Sequence, residues 1–434
     1  MTDKNFKIHL LSIHLFIFIL LIFPIFVFSV FLKSKSSSFV VDNKFEDKSN
    51  IAKEYKEIKL LFLGDIMMTR GVEKKIKSLD KSFVFPFINI LDYLRNFDYV
   101  IANLEGLISD KGAKVGSIYS FRMDPKVSEA LKKVNINVVN LANNHIFDYD
   151  KIAFEETLKN LEENQIRYFG NSYDPLIIQE EGTKIGFLGF SDFLKHLEVK
   201  ENKVGISVIN DKLSEIIKKA KEKVDILILS FHWGEEYQKF ANKRQEKFAK
   251  LAIEAGADLI IGHHPHVIQN IEKYKDKFIF YSLGNFIFDQ NFSKETMIGG
   301  GVEVYLRNKK IEKIYFRKFY LNNNFQIEKI SDPLVPVELE NKIYLLREAK
   351  TSEEWRKGLM FVKKPVDYDG MIFIFPDKRT RSFWNKNTFV DLDIYWLDDN
   401  KVIAKDYLPS ILKTKEITTL KSILPTNIVV EIIR

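Results

Sequence analysis

Seven short apolar runs, each closed by a polar or glycine-containing segment, restrict what this 434-residue chain can fold into. They lie at 58–64 (Ile-Lys-Leu-Leu-Phe-Leu-Gly), 98–104, 137–141, 184–190, 225–230, 258–261 and 278–282. Most are continuous rather than alternating, the pattern of strands buried on both faces of a sheet. Helical periodicity at 84–97, 124–134, 151–164, 211–223 and 242–255 fills several of the intervals. Strands alternating with helices predict a layered α/β domain over residues 58–330.

The N-terminus reads differently. From Leu10 to Leu32 no residue is charged, and as a helix these 23 residues would cross the roughly 30 Å hydrocarbon core with some tilt. No Ala-x-Ala-like site closes the run, which favours an uncleaved transmembrane helix over a signal peptide. Lys4 and Lys7 before it balance Lys33 and Lys35 after it, so the positive-inside rule gives no orientation. Residues 1–33 are therefore expected to form a membrane anchor, and 34–57 a tether.

Composition narrows the chemistry. Cysteine is absent, which excludes disulfides, thiolate metal sites and a cysteine nucleophile. The net charge of +7 comes from Lys spread along the chain, with no basic block interleaved with aromatics, and no nucleic-acid partner is expected. Metal ligands must come from His, Asp, Glu or Asn.

Asp65, Glu105, Asn144, His145, His232, His264 and His266 all fall at predicted strand ends, the edge of an open α/β sheet that carries the site. Five of the eight histidines, His263 included, follow just three strands. Each residue alone has an ordinary explanation: Asp65 as a helix cap, Asn144 in a turn. Together they point to a metal centre. Oxygen and imidazole donors suit Mn, Zn, Fe or Mg, and two such ions need a shared ligand, often a carboxylate. His264-Pro265-His266 in an extended segment would aim both rings to one face.

The motifs Gly64-Asp65, Asn103-Leu104-Glu105, Asn143-Asn144-His145 with Asp148-Tyr149, and His232-Trp233-Gly234-Glu235-Glu236-Tyr237 resemble the bacterial capsule-synthesis family of CapA type. So do Gly262-His263-His264-Pro265-His266-Val267-Ile268-Gln269 and Tyr281-Ser282-Leu283-Gly284-Asn285-Phe286. The family is similar in turn to calcineurin-like metallophosphoesterases. The resemblance implies a four-layer α/β/β/α sandwich with two divalent ions, and a single-pass membrane protein with its main body outside the cytoplasm. It implies Asp65 on the first metal, Glu105 as the bridge, Asn144 and His232 on the second, His264 and His266 as the last ligand pair, and His145 assisting the leaving group. Met67 stands where the phosphoesterases carry a His, and Glu105 replaces an Asp. Phosphoester hydrolysis is therefore not simply inherited. Asp148 and Glu236 are expected to support catalysis, while Arg70, Arg122 and Asn285 are candidates for substrate contact.

Beyond 330 the pattern changes. Residues 331–351 read as a linker with a short helical stretch at 338–350. Strand patterns at 370–376, 388–397, 401–404 and 428–433, with the Asp398-Asp399-Asn400 turn, predict a small, mostly β domain over 352–434. Trp355-Arg356-Lys357-Gly358, Asp369-Gly370-Met371 and Phe383-Trp384-Asn385-Lys386-Asn387-Thr388 resemble the DUF192 family. A polar cluster of Arg381, Lys386, Asn387, Thr388 and Asp393 either forms a small second site or is structural, with Trp384 and Phe383 packing the core and Lys386 and Asn387 shaping a turn. The whole is expected to be a membrane-anchored, metal-dependent hydrolase or transferase of capsule or poly-γ-glutamate biosynthesis. Its expected partners are the membrane, an anionic envelope polymer or its precursor, and other synthase subunits. The rival is a noncatalytic, metal-containing subunit of such a complex.

Overall fold

Two sheets stack face to face, and their apolar faces set the layers. The computed structural model describes residues 56–434 apart from 117 and 202. The second sheet runs Ile271–Tyr274, Lys277–Phe280, Leu259–His263, Ile226–His232, Thr183–Ser191, Leu176–Glu180. Its four inner strands are parallel, and its two edge strands are antiparallel. In the first sheet Ile58–Ile66, Tyr99–Leu104, Ile136–Asn140 and Arg167–Phe169 lie side by side in parallel. The long pair Ile298–Arg307 and Lys310–Leu321 joins antiparallel on the other side of Ile58–Ile66.

Alternation within the strands divides the core. Leu60, Phe62, Ile101 and Val138 meet Ile185, Phe187, Ile228 and Ile261 between the two sheets. On the outer face of the first sheet, Leu61, Leu63, Val100 and Val139 pack on Val72 and Ile76 of helix Arg70–Ser78, Leu131 of Lys126–Lys133 and Phe154 of Asp150–Glu163. On the outer face of the second, Leu188, Leu227, Leu229 and Ile260 pack on Ile217 of Leu213–Lys221 and Ala249 of Lys243–Glu254. Strands buried on both faces need these continuous apolar runs. The resulting order of layers is helix, sheet, sheet, helix.

Two local expectations change. The stretch 84–97 forms a 3-10 turn at Phe85–Ile90, with Pro86 in its first turn, and a short helix at Leu91–Arg95. Residues 338–350 are not helical: Leu334–Leu339 and Lys342–Ala349 form a hairpin through Glu340 and Asn341. Both turn residues have positive φ (52° and 63°), the backbone of a tight two-residue hairpin loop. This hairpin continues the first sheet into the C-terminal strands Gly370–Arg379, Thr426–Ile433, Leu392–Asp398 and Lys401–Leu408, giving fourteen strands in all.

The expected transmembrane helix is corrected as well. Among the described residues no helix is long and apolar enough to cross a membrane. The stretch Leu10 to Leu32, on which that expectation rested, lies outside the described residues. The anchor, the single-pass topology with an extracytoplasmic body and the membrane as a partner are therefore not carried forward.

Candidate metal centre

The site forms where strand ends from both sheets converge. Asp65 sits near the end of Ile58–Ile66, and its backbone N–H donates to Gly284 O at 3.0 Å. The approach is so close that a Cβ on Gly64 would lie 2.0 Å from that same oxygen, so only glycine fits there. Glu105 follows Tyr99–Leu104, while His232 and His263 end their own strands.

Ligand-capable atoms of Asp65, Glu105 and His232 lie within 4.8 Å of one another, and all three side chains are fully buried. Asn103 holds two of them together: its Nδ2 donates to Asp65 Oδ1 at 2.9 Å and lies 3.2 Å from His232 Nδ1. Asn140 fixes Asn103 in turn by donating to its Oδ1 at 2.9 Å. Asp65 Oδ2 accepts from the His264 backbone at 3.2 Å, and its two oxygens lie 3.2 Å from His263 Nδ1 and 3.5 Å from His266 Nδ1.

Glu105 differs from every other acid nearby. Neither of its carboxyl oxygens has a hydrogen-bond partner. Its Oε1 faces His145 Nε2 at 3.9 Å and His266 Nε2 at 3.8 Å. Both histidines are turned toward it by their other nitrogen. His145 Nδ1 lies 2.7 Å from Asp148 Oδ2, and His266 Nδ1 lies 2.9 Å from Asn285 Oδ1. A neutral imidazole that donates at Nδ1 leaves Nε2 as a bare acceptor, the state a metal ligand needs. Asp148 also accepts from the Phe121 backbone at 2.8 Å, and the Phe121 ring stacks 3.9 Å from His145.

Burial and neighbouring charge set the protonation states. Burial, followed by the Asp65 and Glu236 carboxylates, pushes Glu105 well above the usual carboxylate range. Burial acts upward on Asp65 too, but the close imidazoles of His263 and His266 outweigh it and hold the group well below that range. Burial and then His264 keep His232 neutral, and burial and then His266 lower His264 to about 3. Two buried acids thus divide one charge. An unpartnered buried carboxylate is costly, so Glu105 keeps its proton here, and a divalent cation bound at this position would take that proton's place. The donor set of carboxylate, carboxamide and neutral imidazole fits such an ion.

Other expected residues are placed as follows. Asn144 Oδ1 stands 2.8 Å from His232 Nε2. The His264 ring lies 4.9 Å from that of His232 and 5.9 Å from that of His266. The His264-Pro265-His266 segment is not extended: His264 and His266 have φ of 96° and 59°, a strained backbone for residues with a Cβ. His264 accordingly faces His232, and His266 faces Asp65 and Glu105. Glu236 is exposed at the rim, and its charge reaches Glu105. Asn285 holds His266 while donating to Gln290 Oε1 and Thr296 O.

The two arginines are engaged elsewhere. Arg70 pairs with Asp289 through two hydrogen bonds at 3.0 and 2.6 Å. Arg122 donates to the Lys111 and Gly112 carbonyls and stacks over Tyr149. Sequence reasoning assigned no role to Asn103 or His263, which the fold places against Asp65. The Asn103-Leu104-Glu105 motif was the only signal for Asn103.

Comparison with known proteins agrees with these motifs. The profile of the bacterial capsule synthesis protein family PGA_cap matches residues 59–290, and that of the uncharacterised DUF192 family matches 334–433. The chain is 35% identical over 272 residues to the capsule biosynthesis protein CapA of Bacillus anthracis, covering 59% of this chain and 66% of that protein. It is 35% identical over 244 residues to the PGA biosynthesis protein CapA of Bacillus subtilis, covering 54% and 64%. The matches therefore span slightly less than two thirds of each relative. A solved phosphatase from Mycoplasma pneumoniae aligns at 16% identity and a TM-score of 0.35, covering 65% of this chain and 94% of that one, too slight a likeness to bear on the fold. With more than half of its length matched, and with the motif residues gathered around one buried cluster, the chain belongs to the bacterial capsule synthesis protein family PGA_cap and carries a DUF192-like region at its C-terminus.

Proposed function

We propose that this protein is a metal-dependent hydrolase or transferase acting on an anionic capsule polymer of poly-γ-glutamate type, or on its precursor. The observation that carries this reading is the fully buried Glu105, with two unpartnered oxygens between Asp65, His145 and His266. The printed names of the two CapA relatives support the polymer class.

Two divalent ions, of Mn, Zn, Fe or Mg, are the finer form of the proposal. Asp65, Glu105 and His266 would serve one, and Glu105, Asn144, His232 and His264 the other. When bound, such ions activate a water or acceptor and neutralise charge on a phosphoryl or carbonyl oxygen. The chain's own residues do the rest. Asp65 stays ionised. Asn103 fixes its orientation and that of His232. Asp148 holds the His145 proton at Nδ1, so Nε2 can accept a proton or, once protonated, pass one to a leaving group. Phe121 and Phe288 pack against the His145 and His266 rings and keep that side of the site dry.

The test is metal analysis of the purified full chain, with anomalous scattering from crystals, followed by turnover of phosphodiester and γ-glutamyl amide substrates. The proposal expects metal in the wild type, much weaker metal binding in Glu105→Gln, and turnover of one substrate class that falls about 100-fold or more in His145→Ala. Bound metal with no turnover of either class, and normal polymer from cells carrying His145→Ala, would instead mark a noncatalytic subunit of a synthase complex. A folded protein that takes up no divalent ion would remove both readings.

A further inference from the structure

A second cavity, of about 300 Å³, lies in the DUF192-like region, away from every residue of the metal centre. It is lined by Trp355, Lys357, Phe375, Arg381, Trp384 and Glu431, among others. Two of these are charged and more than nine-tenths buried. Glu431 is 4% exposed and Arg381 is 8% exposed. Each keeps one buried polar atom without a hydrogen-bond partner, Oε2 of Glu431 and Nε of Arg381.

Each is otherwise fixed in place. Glu431 lies on strand Thr426–Ile433 and accepts a hydrogen bond from the Leu359 backbone. Arg381 donates from Nη2 to both the carbonyl and the carboxylate of Asp377, the former at 2.7 Å, and stacks 3.9 Å above the Phe375 ring, which leaves Nε as its unpartnered donor. Trp355 is pinned by its indole N–H to Ala349 O at 3.0 Å and packs on Phe375. Arg356 and Lys357 stand exposed at the rim, at the end of helix Ser352–Lys357. A buried donor and a buried acceptor left unpartnered on two residues that line one cavity are each costly, so a ligand that satisfies both gains on two counts.

Charge selects the ligand class. A simple cation would meet Arg356, Lys357 and Arg381. A simple anion would leave Glu431 Oε2 without a partner. A ligand with one group of each sign suits both, and Trp355 and Trp384 offer ring faces on which an ammonium is favourable. We propose that this cavity binds a free amino acid or the amino-terminal residue of a γ-linked peptide, its carboxylate on Arg381 beside Lys357 and its amine on Glu431. Burial raises Glu431 to about 8, so it is poised to give up its proton when an ammonium arrives beside it.

The experiment is calorimetric titration of the full chain with glutamate, compared with glutarate, which lacks the amine, and 4-aminobutyrate, which lacks the α-carboxylate. Glutamate should bind more tightly than either. Glu431→Gln should weaken glutamate by about tenfold or more while changing glutarate little, since a hydrogen bond to a charged group is worth about that factor. Lys357→Ala, at an exposed position that leaves the fold intact, should weaken glutamate and glutarate alike. No saturable binding of glutamate would overturn the proposal. So would equal affinity for all three probes with both variants unchanged. The metal-centre variant Glu105→Gln should leave this binding untouched, which separates the outcome from that of the proposed polymer chemistry.

Discussion

Replacing Glu431 by Gln should remove the pH dependence of stability that this one residue imposes. Its carboxyl is fully buried, one oxygen accepts from the Leu359 backbone, the other has no partner, and burial lifts it from an ordinary 4.5 to about 8. In the unfolded chain the proton leaves near the ordinary value; in the folded chain it stays. Between those two pH values the folded state binds more protons, so stability falls as pH rises, and above the higher value the loss is complete. The separation, at about 1.4 kcal/mol per pH unit, sets a ceiling of about 4 to 5 kcal/mol. Relaxation around the ionised group lowers what is realised, and about 2 kcal/mol is a fair expectation. The amide of Gln keeps the shape and the Leu359 contact but never ionises. Urea unfolding followed by tryptophan fluorescence, without added amino acid, should give wild type and Glu431→Gln nearly equal stability at about pH 5. At about pH 9 the variant should be the more stable by about 2 kcal/mol. Curves that stay parallel across that range would show that Glu431 ionises in the folded state as readily as in the unfolded one, and the burial reasoning would fail.

Two further outcomes concern the metal centre. Asn103→Ala removes the group that orients both Asp65 and His232, and Mn²⁺ affinity measured by titration should fall by about 10- to 100-fold; an unchanged affinity would mean that Asn103 only fills space. Metal uptake near neutral pH should release about one proton, because Glu105 is held protonated by burial and by Asp65, whereas Asp65 is already ionised and His232 and His264 are already neutral. Apparent affinity should therefore rise with pH, and calorimetry in buffers of different ionisation enthalpy should show no such proton from any weaker binding that Glu105→Gln retains.

Much of the α/β core was legible because a strand buried on both faces has little choice of residue. Ile226–His232 announces itself as the apolar run Ile226–Leu229, broken only by Ser230 before Phe231 and a closing histidine, and a run that ends so abruptly places its polar residue at the sheet's edge. What stayed hidden depended on partners far along the chain. Arg70 looked free until Asp289, more than two hundred residues away, was seen to hold it. Asn103 looked like a motif filler until two buried side chains, Asp65 and His232, were found on its single amide nitrogen. The turned backbone at His264 and His266 has no sequence mark, because only glycine or asparagine advertises positive φ and neither stands there. Glu431 did carry a signal, an acid inside the run Thr426–Ile433 among apolar neighbours, and the sequence offered no reason to choose between burial and a solvent-facing edge.

The segment around 331–351 shows how a composition cue can mislead. Pro333 and Pro336 lower the odds of a central strand, since proline cannot donate to a ladder. Yet Pro336 stands opposite Leu345 in a two-stranded hairpin, and on its other side the neighbouring strand Lys310–Leu321 is registered to it at one pair only, Phe316 with Leu334. A proline is tolerable where so little of the ladder is asked of it. Further along, the join is made by other means. Lys318 donates to the Asp367 carbonyl, Tyr320 to the Asp367 carboxylate and Tyr315 to Glu348. Parallel pairing of Leu346–Ala349 with Gly370–Phe373 then carries the ladder onward. A sparse ladder reinforced by side chains is enough to set the C-terminal strands on the sheet that carries Asp65 and Glu105 instead of hanging them from a tether.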